Sequence, residues 1–160
     1  MKIKYMNTRD LMKTVIVAAL YAALTVGLAP ISYGAIQFRL SELLVVLAFI
    51  DRKYIPGLVL GCAIANMFSP LGLIDVVVGT IATFISVYMM SRTKNLLIAT
   101  LWPTINCVFV GAELYYVTNA PFWITTLYVA LGEFAVVTVI GYPLFKMLMK
   151  NERLMKELKN

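Results

Sequence analysis

The chain has 160 residues, is 61% hydrophobic and carries a net charge of +6, with a mean hydropathy of +0.86. Soluble domains run nearer half apolar, so the composition excludes an ordinary soluble fold, and a sequence without His lacks the commonest proton relay and metal ligand. The basic residues fall in short clusters between apolar runs, a pattern set by membrane topology and anionic lipid and not by nucleic acid.

Residues 14–30, 76–90, 95–112 and 122–145 are apolar runs long enough, or nearly so, to cross a hydrocarbon core of about 30 Å. Charges, Pro and Gly punctuate the chain into six predicted transmembrane helices, near 9–29, 40–50, 54–68, 72–91, 95–117 and 121–149. Together they make one all-α, polytopic integral membrane domain over 1–160. The first helix follows a basic stretch, Met1 to Lys13, as a signal peptide's apolar core would. Its apolar run continues to Pro30 without a small-x-small cleavage site, so it reads as a retained helix. Ala18, Ala19, Ala22 and Ala23 give it two overlapping small-xxx-small pairs, which allow close approach between membrane helices. They serve either packing within the chain's own bundle or docking to a second membrane protein.

The break Pro30-Ile-Ser-Tyr-Gly34 opens a polar segment, Ile31–Arg39, predicted to cap the bundle from outside. The helix after it is short: eleven residues at 1.5 Å each reach about 17 Å, roughly half a bilayer. A half-span must be buried in protein or line a cavity, because lipid cannot satisfy its free backbone groups. Further breaks fall at Asp51-Arg-Lys53, Ser69-Pro70, Arg92-Thr-Lys94 and Thr118-Asn-Ala-Pro121. With both termini cytoplasmic, thirteen of the fourteen Lys and Arg residues lie inside: Lys2, Lys4, Arg9, Lys13, Arg52, Lys53, Arg92, Lys94 and the five of the tail. Positive charge fixes orientation in this way. Arg39 is the exception, beside a carboxylate in the run Gln37-Phe-Arg-Leu-Ser-Glu42.

Acids inside a membrane are costly, roughly 2.5–3.5 kcal/mol each on insertion scales, and usually face a bundle interior or a pathway. Four lie in or near the membrane: Glu42, Asp75, Glu113 and Glu133. Counted from the external breaks, the first three are shallow on the outer side and Glu133 is near the midplane. Asn106 shares a helical face with Glu113, Asn66 closes the third helix, and Gln37 precedes Arg39. Trp102, Tyr115, Tyr116, Trp123 and Tyr128 are expected around the same half. The pattern describes a polar pocket in the outer leaflet over an apolar floor. Plainer readings stand beside it. Asp75 suits a helix N-terminus, Glu113 and Glu133 suit an internal brace with Arg39, Asn66 suits a helix cap, and the tryptophans suit packing or the interface. Cys62 and Cys107 have no metal-like spacing and read as small packing residues.

Four stretches carry a resemblance: Ile36-Gln-Phe-Arg-Leu-Ser-Glu42, Asn66-Met-Phe-Ser-Pro-Leu-Gly-Leu-Ile-Asp75, Asn106 through Gly111-Ala-Glu-Leu-Tyr-Tyr116, and Ala120-Pro-Phe-Trp-Ile-Thr-Thr-Leu-Tyr-Val-Ala-Leu-Gly-Glu133 continuing to Gly141-Tyr-Pro-Leu-Phe145. In these the chain resembles the queuosine-precursor (QueT-type) substrate-binding S components of energy-coupling factor (ECF) transporters. The resemblance implies capture of a 7-deazaguanine base such as preQ0, preQ1 or queuine from outside. It also implies a transmembrane coupling subunit, two separate ATPase subunits, and docking through the Ala-x-x-x-Ala face. The chain itself has no Walker A pattern, and no cofactor or metal is expected. Substrate contacts are expected among Gln37, Arg39, Glu42, Asn66, Asp75, Asn106, Glu113 and Glu133. The competing reading is an ion-coupled secondary carrier, which favours paired repeats and broken helices. An intramembrane enzyme would need a nucleophile–base pair that the sequence does not display.

Overall fold

The computed structural model describes residues 7–34 and 36–159, and these are all-helical. Lys2 and Lys4 lie outside the described residues. Helix α1 (Thr8–Gly27) starts with Asp10 in its first turn, where the helix dipole favours an acid. A single turn, Ala29–Ser32, follows. Helix α2 (Leu40–Ile50) winds its first seven residues, Leu40–Val46, as a 3₁₀ helix. That is long for a 3₁₀ stretch. At about 2.0 Å per residue there and 1.5 Å beyond, α2 reaches roughly 20 Å, still short of a full crossing.

Asp51 caps the next turn by accepting from the Lys53 amide at 2.9 Å, and α3 (Ile55–Asn66) begins with Pro56 in its first turn, where no N–H is needed. Gly72, at φ +68°, supplies the left-handed turn into α4 (Leu73–Arg92). Asn95 caps α5 (Leu96–Thr118) by accepting from Leu97 N at 2.9 Å, and Asn119 ends it in the left-handed conformation. Helix α6 (Phe122–Leu148) continues through a π-helical segment, Phe134–Gly141, just before Pro143 removes a backbone donor. Each predicted helix lies where the punctuation puts it, to within a couple of residues. The tail adds a short amphipathic helix, α7 (Glu152–Lys159), which the charge pattern alone did not reveal.

Among the described residues four helices, α1, α4, α5 and α6, are long and apolar enough to cross a membrane. Their outward faces are apolar, with Val15, Val77, Ile81, Ile105, Leu127 and Leu131 exposed, while Glu42, Asp75, Glu113 and Glu133 are buried. This apolar-out, polar-in distribution suits lipid.

Successive helices α3, α4, α5 and α6 pack side by side, with α1 along α3 and α2 threaded between α1 and α6. The α1–α3 crossing is tight for a reason in the sequence. Gly57 and Gly61 form a G-x-x-x-G face, and a Cβ on either would run into the α1 backbone at Thr14 or Ala18.

One end of the bundle is basic. Lys53 pairs with Asp10 at 3.2 Å, Arg52 donates to the Ser91 carbonyl at 3.4 Å, and Lys13 donates to the Glu157 and Leu158 carbonyls at the end of α7, both at 3.1 Å. These contacts bring the 51–53 and 92–94 turns, the start of α1 and the tail together. The apolar core (Val45, Val46, Leu58, Met90, Val136, Phe145) lies toward this end. Arg39 lies at the opposite end, where α4 begins.

Candidate functional site

The segment that follows the single turn folds inward. Its Phe38 amide donates to the Ile31 carbonyl at 2.9 Å. Gly132 on α6 lets it come close, since a Cβ there would strike the Ile36 carbonyl. Gln37 takes φ +49°, a left-handed conformation uncommon outside Gly, Asn and Asp. Arg39 is then carried into the bundle with 7% of its surface exposed. Its Nε donates to the Ser32 carbonyl at 3.4 Å, a terminal nitrogen stands 3.7 Å from Asp75 Oδ2, and the guanidinium lies 5.6 Å from the Tyr33 ring centroid. The Tyr33 hydroxyl donates to the Ala65 carbonyl at 2.5 Å. Burial raises its phenol above the ordinary value, so it stays a neutral donor.

Behind this, Asn66 Nδ2 donates to the Asp75 carbonyl at 3.0 Å. Gly79, one turn along α4, leaves room for that amide. Asn66 thus braces α3 to α4, and Asp75 holds Arg39.

Toward the interior lies a small polar cavity of about 50 Å³, lined by Gln37, Arg39, Glu42, Thr83, Ser86, Asn106, Cys107 and Glu133 among others. The Tyr21 hydroxyl, wholly buried on α1, donates to Glu42. The neighbouring Thr25 and Ser41 hydroxyls bond each other at 2.6 Å. Asn106 Nδ2 donates to the Ala82 carbonyl and to Ser86 Oγ, the latter at 2.8 Å. Its Oδ1 therefore remains the free acceptor. Glu133, 8% exposed, has no hydrogen bond or ion pair among the described residues.

A wider chamber of about 500 Å³ lies nearer the end of the bundle, lined by Tyr33, Gln37, Pro70, Leu114, Thr118 and Tyr128 among others. Gln37 lines both spaces. Glu113 stands on α5 between residues of the two linings, Val110 and Leu114. It is 4% exposed, and neither carboxylate oxygen has a hydrogen-bond partner among the described residues.

Five of the eight expected contact residues, Gln37, Arg39, Glu42, Asn106 and Glu133, therefore share one cavity. Asn66, Asp75 and Glu113 lie outside that lining. Glu42 sits deeper than its sequence distance from the break suggests, at the level of Tyr21 and Glu133. Residues the sequence reading missed include Tyr21, Thr83, Ser86 and Cys107. The α4 members had a signal: Gly79, Ala82, Thr83 and Ser86 form a small and polar stripe along one helical face.

The expected aromatics divide. Trp102 sits at the basic end, its Nε1 donating to Thr93 Oγ1 at 2.9 Å. Tyr115, Tyr116 and Trp123 are exposed, because their helical positions turn them outward. The aromatics near the site are Tyr33 and Tyr128, in the outer chamber. The alanines divide as well: Ala18 is buried against α3 and Ala22 is half-buried, while Ala19 and Ala23 are exposed.

The family model for the QueT transporter matches residues 11–150. A curated relative, the queuosine precursor transporter QueT of Lactococcus lactis subsp. cremoris (strain MG1363), is 37% identical over 149 residues, covering 82% of this chain and 88% of that protein. No solved structure matches the chain.

Proposed function

This chain belongs to the QueT transporter family, and on that premise we propose that it is the substrate-binding S component of an ECF importer. It captures a queuosine precursor (a 7-deazaguanine base such as preQ0, preQ1 or queuine) from outside the cell membrane. The observation that carries this reading is the convergence of Glu42, Glu133, Arg39, Gln37 and Asn106 on one small cavity.

A guanine-type edge presents adjacent N–H and NH₂ donors, and one carboxylate accepts both, as acids accept base donors elsewhere. Glu42, already oriented by Tyr21, is suited to that contact. The base carbonyl requires a donor, which the Gln37 amide or the Arg39 guanidinium supplies. Tyr33 and Tyr128 flank the approach and offer ring faces for stacking, as aromatic side chains do for single-stranded bases.

The clustering of described Lys and Arg residues at one end supports a cytoplasmic position for that end and for both termini, with the cavity opening toward the other side. The short helices α2 and α3 complete six passes as a pair of reduced spans. ATP hydrolysis belongs to two partner ATPases, reached through a transmembrane coupling subunit that docks on the exposed Ala19–Ala23 face of α1. The Ile31–Arg39 segment acts as the gate, because the inner cavity, at about 50 Å³, is too small to admit a bicyclic base as it stands. A bicyclic base enters only when Gln37 moves.

Purified protein should bind deazaguanines and ignore an unrelated vitamin in calorimetry. Failure of preQ0, preQ1 and queuine alike to bind folded protein would sink the substrate assignment. Uptake that persists after deletion of the coupling subunit or the ATPases would sink the S-component assignment. One observation favours a second reading: the unpartnered Glu113 carboxylate, in a buried position typical of proton-coupled carriers. Uptake driven by a proton gradient in proteoliposomes lacking ATPase would establish that alternative.

A further inference from the structure

Resting on that reading, we propose that the site is built for a precursor carrying a cation on its side arm, the aminomethyl class, and that Glu133 is the residue that selects it. The argument comes from counting which polar groups at the cavity remain free. Arg39 lines the cavity, with its Nε donating to the Ser32 carbonyl and one terminal nitrogen 3.7 Å from Asp75 Oδ2 behind it. One guanidinium therefore stands against two carboxylates in the lining, Glu42 and Glu133, and a third behind it, Asp75.

Glu42 is already an acceptor for the Tyr21 hydroxyl, and the Asn106 amide nitrogen is occupied by Ala82 and Ser86. What still faces the ligand has an excess of acceptors: Glu42, the Asn106 carbonyl oxygen and a Glu133 without a hydrogen bond among the described residues, against the donors of Gln37 and Arg39. A buried carboxylate with no donor is expensive in the low-dielectric interior of a membrane protein. An occupant that brings donors and a positive charge removes that cost.

One carboxylate is satisfied by the N–H and NH₂ edge of a deazaguanine, and the same edge cannot also serve Glu133 on the facing helix. The second acid requires the ligand's other substituent. A protonated aminomethyl group meets it with a charge-assisted hydrogen bond. A nitrile at the same position presents the negative end of its dipole and an acceptor, so it meets Glu133 with repulsion. Guanine has no side arm and leaves Glu133 unanswered. A bare metal ion is a poor alternative, since no three His, Cys, Asp or Glu side chains among the described residues come together as a metal site.

The test is a binding panel on the purified full chain with preQ1, preQ0 and guanine, repeated on the Glu133→Gln variant with thermal melting to check that it folds. The expected result is preQ1 tighter than preQ0 by roughly ten- to a hundredfold, the range of a hydrogen bond to a charged group. That gap should collapse in the variant through weaker preQ1 binding while preQ0 is unchanged or improved. Wild-type protein that binds preQ0 as tightly as preQ1 overturns the inference and leaves the deazaguanine reading standing. An unchanged preQ1 preference in folded Glu133→Gln overturns the role of Glu133. If no deazaguanine binds, the underlying reading falls and takes this one with it.

Discussion

Gly61→Ala tests whether the α1–α3 crossing supports both the bundle and the site. A Cβ at Gly61 would lie 2.8 Å from Tyr21 Cβ, 2.9 Å from the Ala18 carbonyl oxygen and 3.0 Å from Ala18 Cα. Ordinary carbon contacts sit near 3.5–4.0 Å, and none of these three atoms can rotate away. The helices must therefore separate. Overpacking of this kind costs about 1–3 kcal/mol, offset by roughly 0.5–1 kcal/mol from the better helix propensity of Ala. The net loss is about 1–2 kcal/mol, which at ~2–4 °C per kcal/mol for a chain of this size lowers Tm by roughly 2–8 °C. Because the displaced atoms include those that set Tyr21, and Tyr21 holds Glu42, ligand affinity should fall together with Tm. Melting in detergent, followed by calorimetric titration of the ligand, reads both quantities. Gly27→Ala is the internal control, since nothing lies within 4 Å of its Cβ position, and it should leave Tm unchanged or slightly raised. A Gly61→Ala protein that melts at or above wild type and binds normally would refute the close-contact argument.

Three further outcomes follow from the same geometry. Tyr21→Phe keeps the packing of a fully buried ring but removes the donor to Glu42, so titration should show ligand binding weakened about tenfold or more; unchanged affinity would make the contact incidental. For Arg39 and Asp75, either single replacement by Ala should lower Tm by leaving the other charge buried, whereas Arg39→Met with Asp75→Leu should be more stable than either single variant. Additive losses in that melting cycle would contradict a mutually dependent pair. On α1, Ala23→Leu should leave binding by the purified protein intact and reduce cellular uptake, while Ala18→Leu should lower Tm itself; equal effects at both positions would deny the division of the two faces.

Much of the fold was legible because membrane helices announce themselves through length, apolarity and the residues that interrupt them. Pro30, Ser69-Pro70 and Thr118 to Pro121 mark breaks by backbone chemistry alone. Acids such as Glu42 and Glu133 mark an interior by their cost in lipid. Rotation about a helix axis was harder to read. Tyr115, Tyr116 and Trp123 look like cavity aromatics when judged by depth, and only the packed bundle shows that they face outward. Trp102 was misplaced along the axis for a related reason, since its bond to Thr93 fixes it near the start of α5. The depth of Glu42 is hidden in the sequence because the segment before α2 folds into the bundle, so that α2 already begins inside it. The split between Ala18 and Ala19 needed the partner motif, Gly57 and Gly61, which was present in the sequence and went unused.

The two cavities also explain why Gln37 has a conformation that its side chain disfavours. A non-Gly residue at φ +49° costs about 1–3 kcal/mol and persists only where the surroundings enforce it. Here they do. The Phe38 amide is tied back to Ile31, the Ile36 carbonyl rests where α6 has no Cβ at Gly132, and Arg39 is anchored by Asp75 and Ser32. Gln37 is held between these fixed points and lines both the 50 Å³ cavity and the 500 Å³ chamber. On the proposed gating, releasing any one anchor should relax the backbone and open the passage together. In the proposed gate, a ligand that draws Arg39 or Gln37 into its own hydrogen bonds would do this directly, so that Gln37 would respond to what enters the site.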